Sequence, residues 1–137
     1  MINIERYEGT EANVNSYILS DDENVIVVDV LRNSVEAERL ADHIEQKGKK
    51  LNCIFITHGH ADHYMGLGVF HHRFPNVPIK VATSAIKEDL IGFSQWMESV
   101  GWLEGEPQMK VKTAENPAGF DYANLVSVID EPFLKLP

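Results

Sequence analysis

Three of the chain's six histidines fall between positions 58 and 63, in the run Thr57-His58-Gly59-His60-Ala61-Asp62-His63. Imidazole nitrogens and a carboxylate oxygen are the donors that Zn²⁺ and related divalent ions take. The chemistry on offer is therefore metal binding and, with an open coordination position, activation of water. An extended backbone sends residues i and i+2 to one side, so His58 and His60 can converge on one ion. Asp62 keeps that alternation and His63 turns away from it. Four donors reaching in two directions suit two neighbouring metals better than one closed tetrahedron. Gly59 and Ala61 leave room for the imidazoles to fold inward. The simpler alternative is a surface loop that happens to be rich in histidine. Against it, the run lies inside a well-patterned α/β stretch, unlike a terminal tag.

The flanking pattern supplies elements to hold the run. Residues 2–7 alternate apolar and polar, and 14–20 and 25–29 read as two further strands joined by the turn Asp21-Asp22-Glu23-Asn24. That acidic turn is taken as solvated and without function. Asn33 with Glu36 forms a capping arrangement for a helix with Ala37, Leu40, Ala41 and Ile44 on one face, ending near Gly48. His43 lies at the rim of that stripe. The continuous apolar run Leu51–Ile56 fits a central strand covered on both faces. It contains Cys53, which reads as a buried structural thiol, and it ends at the histidine run.

Gly66 to Phe74 predicts a short helix ending before Pro75, with His71 and His72 about 100° apart and at the surface. Ile79–Ala82 predicts a strand. Thr83 or Ser84 caps a helix with Ile86, Leu90, Phe93, Met97 and Val100 on one face, and Trp96 either extends that stripe or contributes to a substrate pocket, core packing being preferred. Signals fade from 101 to 123, and 125–129 reads as a last strand. The expected class is a mixed α/β (α+β) domain, a mixed β-sheet with flanking helices.

With 44% hydrophobic and 24% charged residues the composition is that of a globular protein, in one domain over 1–137. A net charge of −9 speaks against nonspecific binding of nucleic acid. One cysteine excludes an internal disulfide framework, and no signal peptide or membrane-length apolar run is visible, so a cytoplasmic location is expected.

His58-x-His60-x-Asp62-His63 followed by Gly66 resembles the signature of the metallo-β-lactamase-fold hydrolases. Asn15–Leu19 and Val25–Asp29 are similar to that superfamily's opening strands, which end in an aspartate. Val30-Leu31 stands where Thr-Gly is usual, and Tyr64-Met65-Gly66 where x-Gly-Gly is common. The resemblance covers roughly residues 1 to 100. It implies a two-sheet sandwich flanked by helices, with His58 and His60 on one metal and Asp62 and His63 on a second. Zinc is the expected ion, one or two per complete site, with iron or manganese as alternatives. Asp62 would also orient the attacking water and take its proton, as the catalytic residue. Asp29 reads either as a support fixing an imidazole or the loop backbone, or simply as a polar strand end.

The superfamily's later ligands, a third histidine, a bridging aspartate and a last histidine, have no counterpart after His72. The chain therefore reads as the amino-terminal half of such a fold, closing on Phe133–Pro137. Asp29, His71, Asp121, Asp130 and Glu131 are the local substitutes, and nothing in the sequence promotes one over another. Half a sandwich leaves one sheet face bare, so a homodimer is expected. The leading expectation is a metal-dependent hydrolase of a small-molecule substrate, or the metal-binding half of one. The competing expectation is a catalytically incomplete metal-binding or assembly domain. A di-iron redox centre of the flavodiiron kind is disfavoured, because position 60 is His rather than Glu.

Overall fold

Residues 1–10 and 14–131 are described by a computed structural model; the tail Phe133–Pro137 lies outside the described residues. Strands β1 (Asn3–Glu8), β2 (Asn15–Ser20) and β3 (Asn24–Val28) form an antiparallel meander. The β2–β3 turn closes because the Asp21 carboxylate accepts from the backbone N–H of Glu23 and of Asn24 (2.9 and 2.7 Å). Those two bonds hold its pKa below the ordinary carboxylate value. From β3 onward the sheet turns parallel, through β4 (Lys50–Ile56), β5 (Ile79–Val81) and β6 (Val126–Val128). The spatial order is the chain order, β1 to β6.

Helices carry the parallel connections. In α1 (Ser34–Gln46) the Asn33 side chain accepts from the Glu36 N–H, and Ala37, Leu40, Ala41 and Ile44 are buried. Glu5 on β1 ties this helix to the sheet edge through Lys47 and His43. Helix α3 (Leu67–Arg73) packs on α1, where Arg73 reaches the carboxylates of Glu38, Asp42 and Glu45. Helix α4 (Ser84–Ser99) begins at Thr83, whose hydroxyl accepts from the Ile86 N–H. Its buried stripe is Leu90, Ser94 and Met97, an i, i+4, i+7 spacing.

Two short helices were not expected: α2 (Ala61–Tyr64), inside the histidine run, and α5 (Tyr122–Leu125). The faint stretch from 101 onward is held by isolated anchors. Leu103, Met109, Phe120 and Tyr122 are buried, and the Tyr122 hydroxyl donates to the Met109 carbonyl.

Cross-strand register separates the two sheet faces. The row Ile18, Val27, Ile54, Ile79 and Val126 lies on the helix-covered face and is buried throughout. The row Ile4, Leu19, Ile26 and Cys53 lies on the other. On that face Ile4 and Tyr17 are exposed, whereas Ile26 and Cys53 are buried.

Candidate metal centre

The histidine run leaves the carboxyl end of β4 beside the carboxyl end of β3, the end at which open α/β sheets place their ligands. Its backbone does not stay extended. His60 is extended (φ −92°, ψ 138°), and the chain then turns into α2, where the His63 N–H meets the His60 carbonyl at 3.0 Å. The expectation that Asp62 continues the alternation while His63 turns away is therefore corrected. The turn swings His63 back, so that its ring centroid lies 4.1 Å from that of His58. The His60 ring lies 4.6 Å from His58 on another side. Asp62 Oδ1 is 3.9 Å from His63 Nε2.

Asp29 sits beneath this cluster, 4% exposed. Its Oδ1 accepts from the Thr57 N–H, and its Oδ2 accepts from the Thr57 hydroxyl, both at 2.8 Å. Oδ2 also meets His63 Nδ1 at 2.7 Å. A buried carboxylate between those groups makes His63 Nδ1 the donor, which leaves Nε2 with its lone pair. The Thr57 hydroxyl, having given its proton to Asp29, is an acceptor for His58 Nδ1 at 2.8 Å. His58 therefore also keeps Nε2 free for a ligand. Burial, and then the neighbouring His63 and His60, push the His58 pKa down and favour the neutral imidazole that metals bind.

This arrangement has a backbone cost. Asp29 (φ 64°) and Leu31 (φ 70°) occupy the left-handed region without being glycine, which is uncommon and concentrated at functional sites. Two bonds clamp the strained turn to the run: Val30 N–H to the His63 carbonyl (2.8 Å) and Gly66 N–H to the Leu31 carbonyl (3.2 Å). Gly59 also sets how closely a neighbouring helix can come. A Cβ there would lie 2.6 Å from the Asp89 Cβ, so its absence lets α4 approach the loop.

The donor chemistry fits zinc, iron or manganese: three imidazoles, two with their Nδ1 atoms tied back, and a carboxylate alongside. As placed, no three His, Cys, Asp or Glu side chains among the described residues close on one ion. That holds equally for the local substitutes. His71, far along α3, packs its ring against Phe120. Asp121 caps α5, where it accepts from the Asn124 N–H.

One contributor carried no functional signal in the sequence, and a second takes the pocket role rather than the preferred core role. Thr57 links Asp29 to His58, and its only signal was its place at the strand end. Trp96 is not core: it is 49% exposed, because it falls off the Leu90–Ser94–Met97 stripe. It packs edge-on to Trp102 and Phe93 (4.9 and 5.8 Å) and lines a hollow of about 590 Å³ shared with His58, His60, Glu88 and Asp89.

Residues 9–127 match the profile of the metallo-beta-lactamase superfamily. Over 65 residues the chain is 34% identical to hydroxyacylglutathione hydrolase 1 of Vibrio vulnificus (strain YJ016), which covers 47% of this chain and 25% of that one. A metallo-beta-lactamase from Cronobacter sakazakii matches with a TM-score of 0.53 at 20% identity, over 64% of this chain and 34% of that one. The B3 metallo-beta-lactamase BLEG-1 matches at 0.51 and 21%, over 61% and 38%. These two likenesses establish the fold. The matched stretches span only a quarter to under two fifths of the relatives' own lengths.

Proposed function

Because the chain belongs to the metallo-beta-lactamase superfamily, we propose that it is a metal-dependent hydrolase, or the metal-binding part of one, acting on an ester-like bond. The observation that carries this reading is the buried Asp29–Thr57 pair, which ties back the Nδ1 atoms of His58 and His63 and leaves both Nε2 atoms free. His58 and His60 would hold one ion, and Asp62 with His63 a second. When bound, zinc, iron or manganese would lower the pKa of a water and polarise the substrate carbonyl.

The chain's own residues supply the rest. Asp62, about one third exposed, takes the proton from the attacking water and returns it to the leaving group. Asp29 keeps the imidazoles in one tautomer, and Phe93 with Trp96 walls the hollow beside them. A thioester is the first substrate to try, since the relative aligned over 65 residues is named for hydrolysing an acylglutathione. A cytoplasmic location is part of the same proposal, supported by the buried free thiol of Cys53. We further propose a homodimer in which a second copy covers the sheet face where Ile4 and Tyr17 are exposed; a monomeric mass in sedimentation would remove it.

One observation favours a second reading, a metal-binding or assembly domain without turnover: no three donors among the described residues close on one ion. Incubation with Zn²⁺, Mn²⁺ or Fe²⁺ and assay against thioester, lactone and phosphodiester substrates separates the two. Metal-dependent turnover lost in His60→Ala supports the hydrolase. Metal binding without turnover supports the alternative.

A further inference from the structure

The strained turn that carries Asp29 under the histidines also delivers the residue after Leu31. Arg32 is exposed, and among the described residues it makes no hydrogen bond or ion pair. That is unexpected where 21 Asp and Glu face 12 Lys and Arg. Arg73 shows the usual outcome, with three carboxylates around one guanidinium.

Arg32 stands where two hollows meet. It lines a recess of about 350 Å³ with His60, Asp62 and Phe93, and Asp62 does not pair with it there. It also lines a hollow of about 500 Å³ floored by Met65, Met97, Trp102, Leu103 and Met109. Methionine is unbranched and flexible, and it lines pockets that adapt to chains of varied shape. Glu106, which also lines that hollow, is occupied by the Ser34 hydroxyl and the Gln108 amide. An unpaired guanidinium between a candidate reaction centre and an apolar floor matches a ligand with an anionic head and a linear apolar chain.

We propose that Arg32 sets the specificity of this site for substrates that carry a carboxylate close to the scissile carbonyl and an alkyl chain lying in the methionine-lined hollow. The inference rests on the hydrolase reading for its chemistry, but its binding claim can be tested without metal.

Octanoate and the isosteric neutral octanamide are titrated calorimetrically into the metal-free chain at pH 7. Octanoate is expected to bind at least about tenfold more tightly, one charge-assisted contact's worth. Arg32→Gln removes that difference and leaves octanamide binding unchanged; circular dichroism confirms that the variant is folded. Equal affinities in the wild type, a preference that survives Arg32→Gln, or no saturable octanoate binding overturns the proposal. A second arm compares succinyl and butyryl thioesters of one thiol on the zinc-loaded chain. Turnover of neither, with the octanoate preference intact, defeats the hydrolase reading alone. Turnover of both with equal kcat/KM defeats the Arg32 assignment alone.

Discussion

Two histidine groups, one at the end of β4 and one at the end of α3, border cavities of similar size, about 590 and 510 Å³. Their surroundings differ. Behind His58, His60 and His63 lies a buried carboxylate with three hydrogen-bond contacts, held by a turn that keeps two non-glycine residues at positive φ. Behind half-buried His71 lies the Phe120 ring, and His72 is exposed. Donor density is therefore a poor guide on its own. What distinguishes the first group is a neighbouring element that fixes which imidazole nitrogen stays free.

The clamp between the strained turn and the histidine run gives the strongest way to break this contrast. A Cβ on Gly66 would sit 2.1 Å from the Val30 carbonyl oxygen and 2.8 Å from the Ala37 Cβ, neither of which can rotate away. Gly66→Ala is expected to cost about 3 kcal/mol or more in urea unfolding. Gly92, with open space around it in α4, is its counterpart: Gly92→Ala should stabilise by up to about 1 kcal/mol. Equal midpoints for the two variants would show that the turn is not clamped.

Next in size is Asp29→Asn. Losing the carboxylate should lower metal affinity about 10- to 100-fold, because an amide nitrogen in place of Oδ2 accepts from neither His63 Nδ1 nor the Thr57 hydroxyl, while the Thr57 N–H bond to Oδ1 persists. An unchanged affinity would remove Asp29 from the account.

Cys53 sharpens the picture of the other sheet face. Burial pushes its thiol up to about 11 from 9.0. The folded chain thus holds the thiol proton more tightly than the unfolded chain does. Stability is full below about pH 9 and falls as pH rises to 11, by roughly 2 kcal/mol. If Cys53→Ala shows the same decline over that range, the thiol is not its source. Smallest of all, His71→Ala with His72→Ala should shift stability by less than about 0.5 kcal/mol. A larger loss would give the second group a structural importance that its contacts do not show.

The sheet and long helices were legible because Asn33 and Thr83 precede apolar stripes and β4 is continuously apolar. The donors were legible by type. Their arrangement was not, because His-x-His-x-Asp imitates the strand period across a point where the backbone already turns helical. No capping signal marked that turn, since His60 makes no side-chain cap bond. From 101 to 125 the buried anchors follow no period. Arg32 and Trp96 matter through cavities that only the folded chain creates.

The central claim is that His58, His60 and their supports, rather than histidine density, make the metal centre. Calorimetric titration of Zn²⁺ into the wild type, His58→Ala/His60→Ala and His71→Ala/His72→Ala tests it most directly. At least one ion per wild-type chain is expected, with an affinity loss of at least about 100-fold in the first double variant and under about twofold change in the second. Zinc binding that survives loss of His58 and His60, or that disappears with His71 and His72, would contradict it.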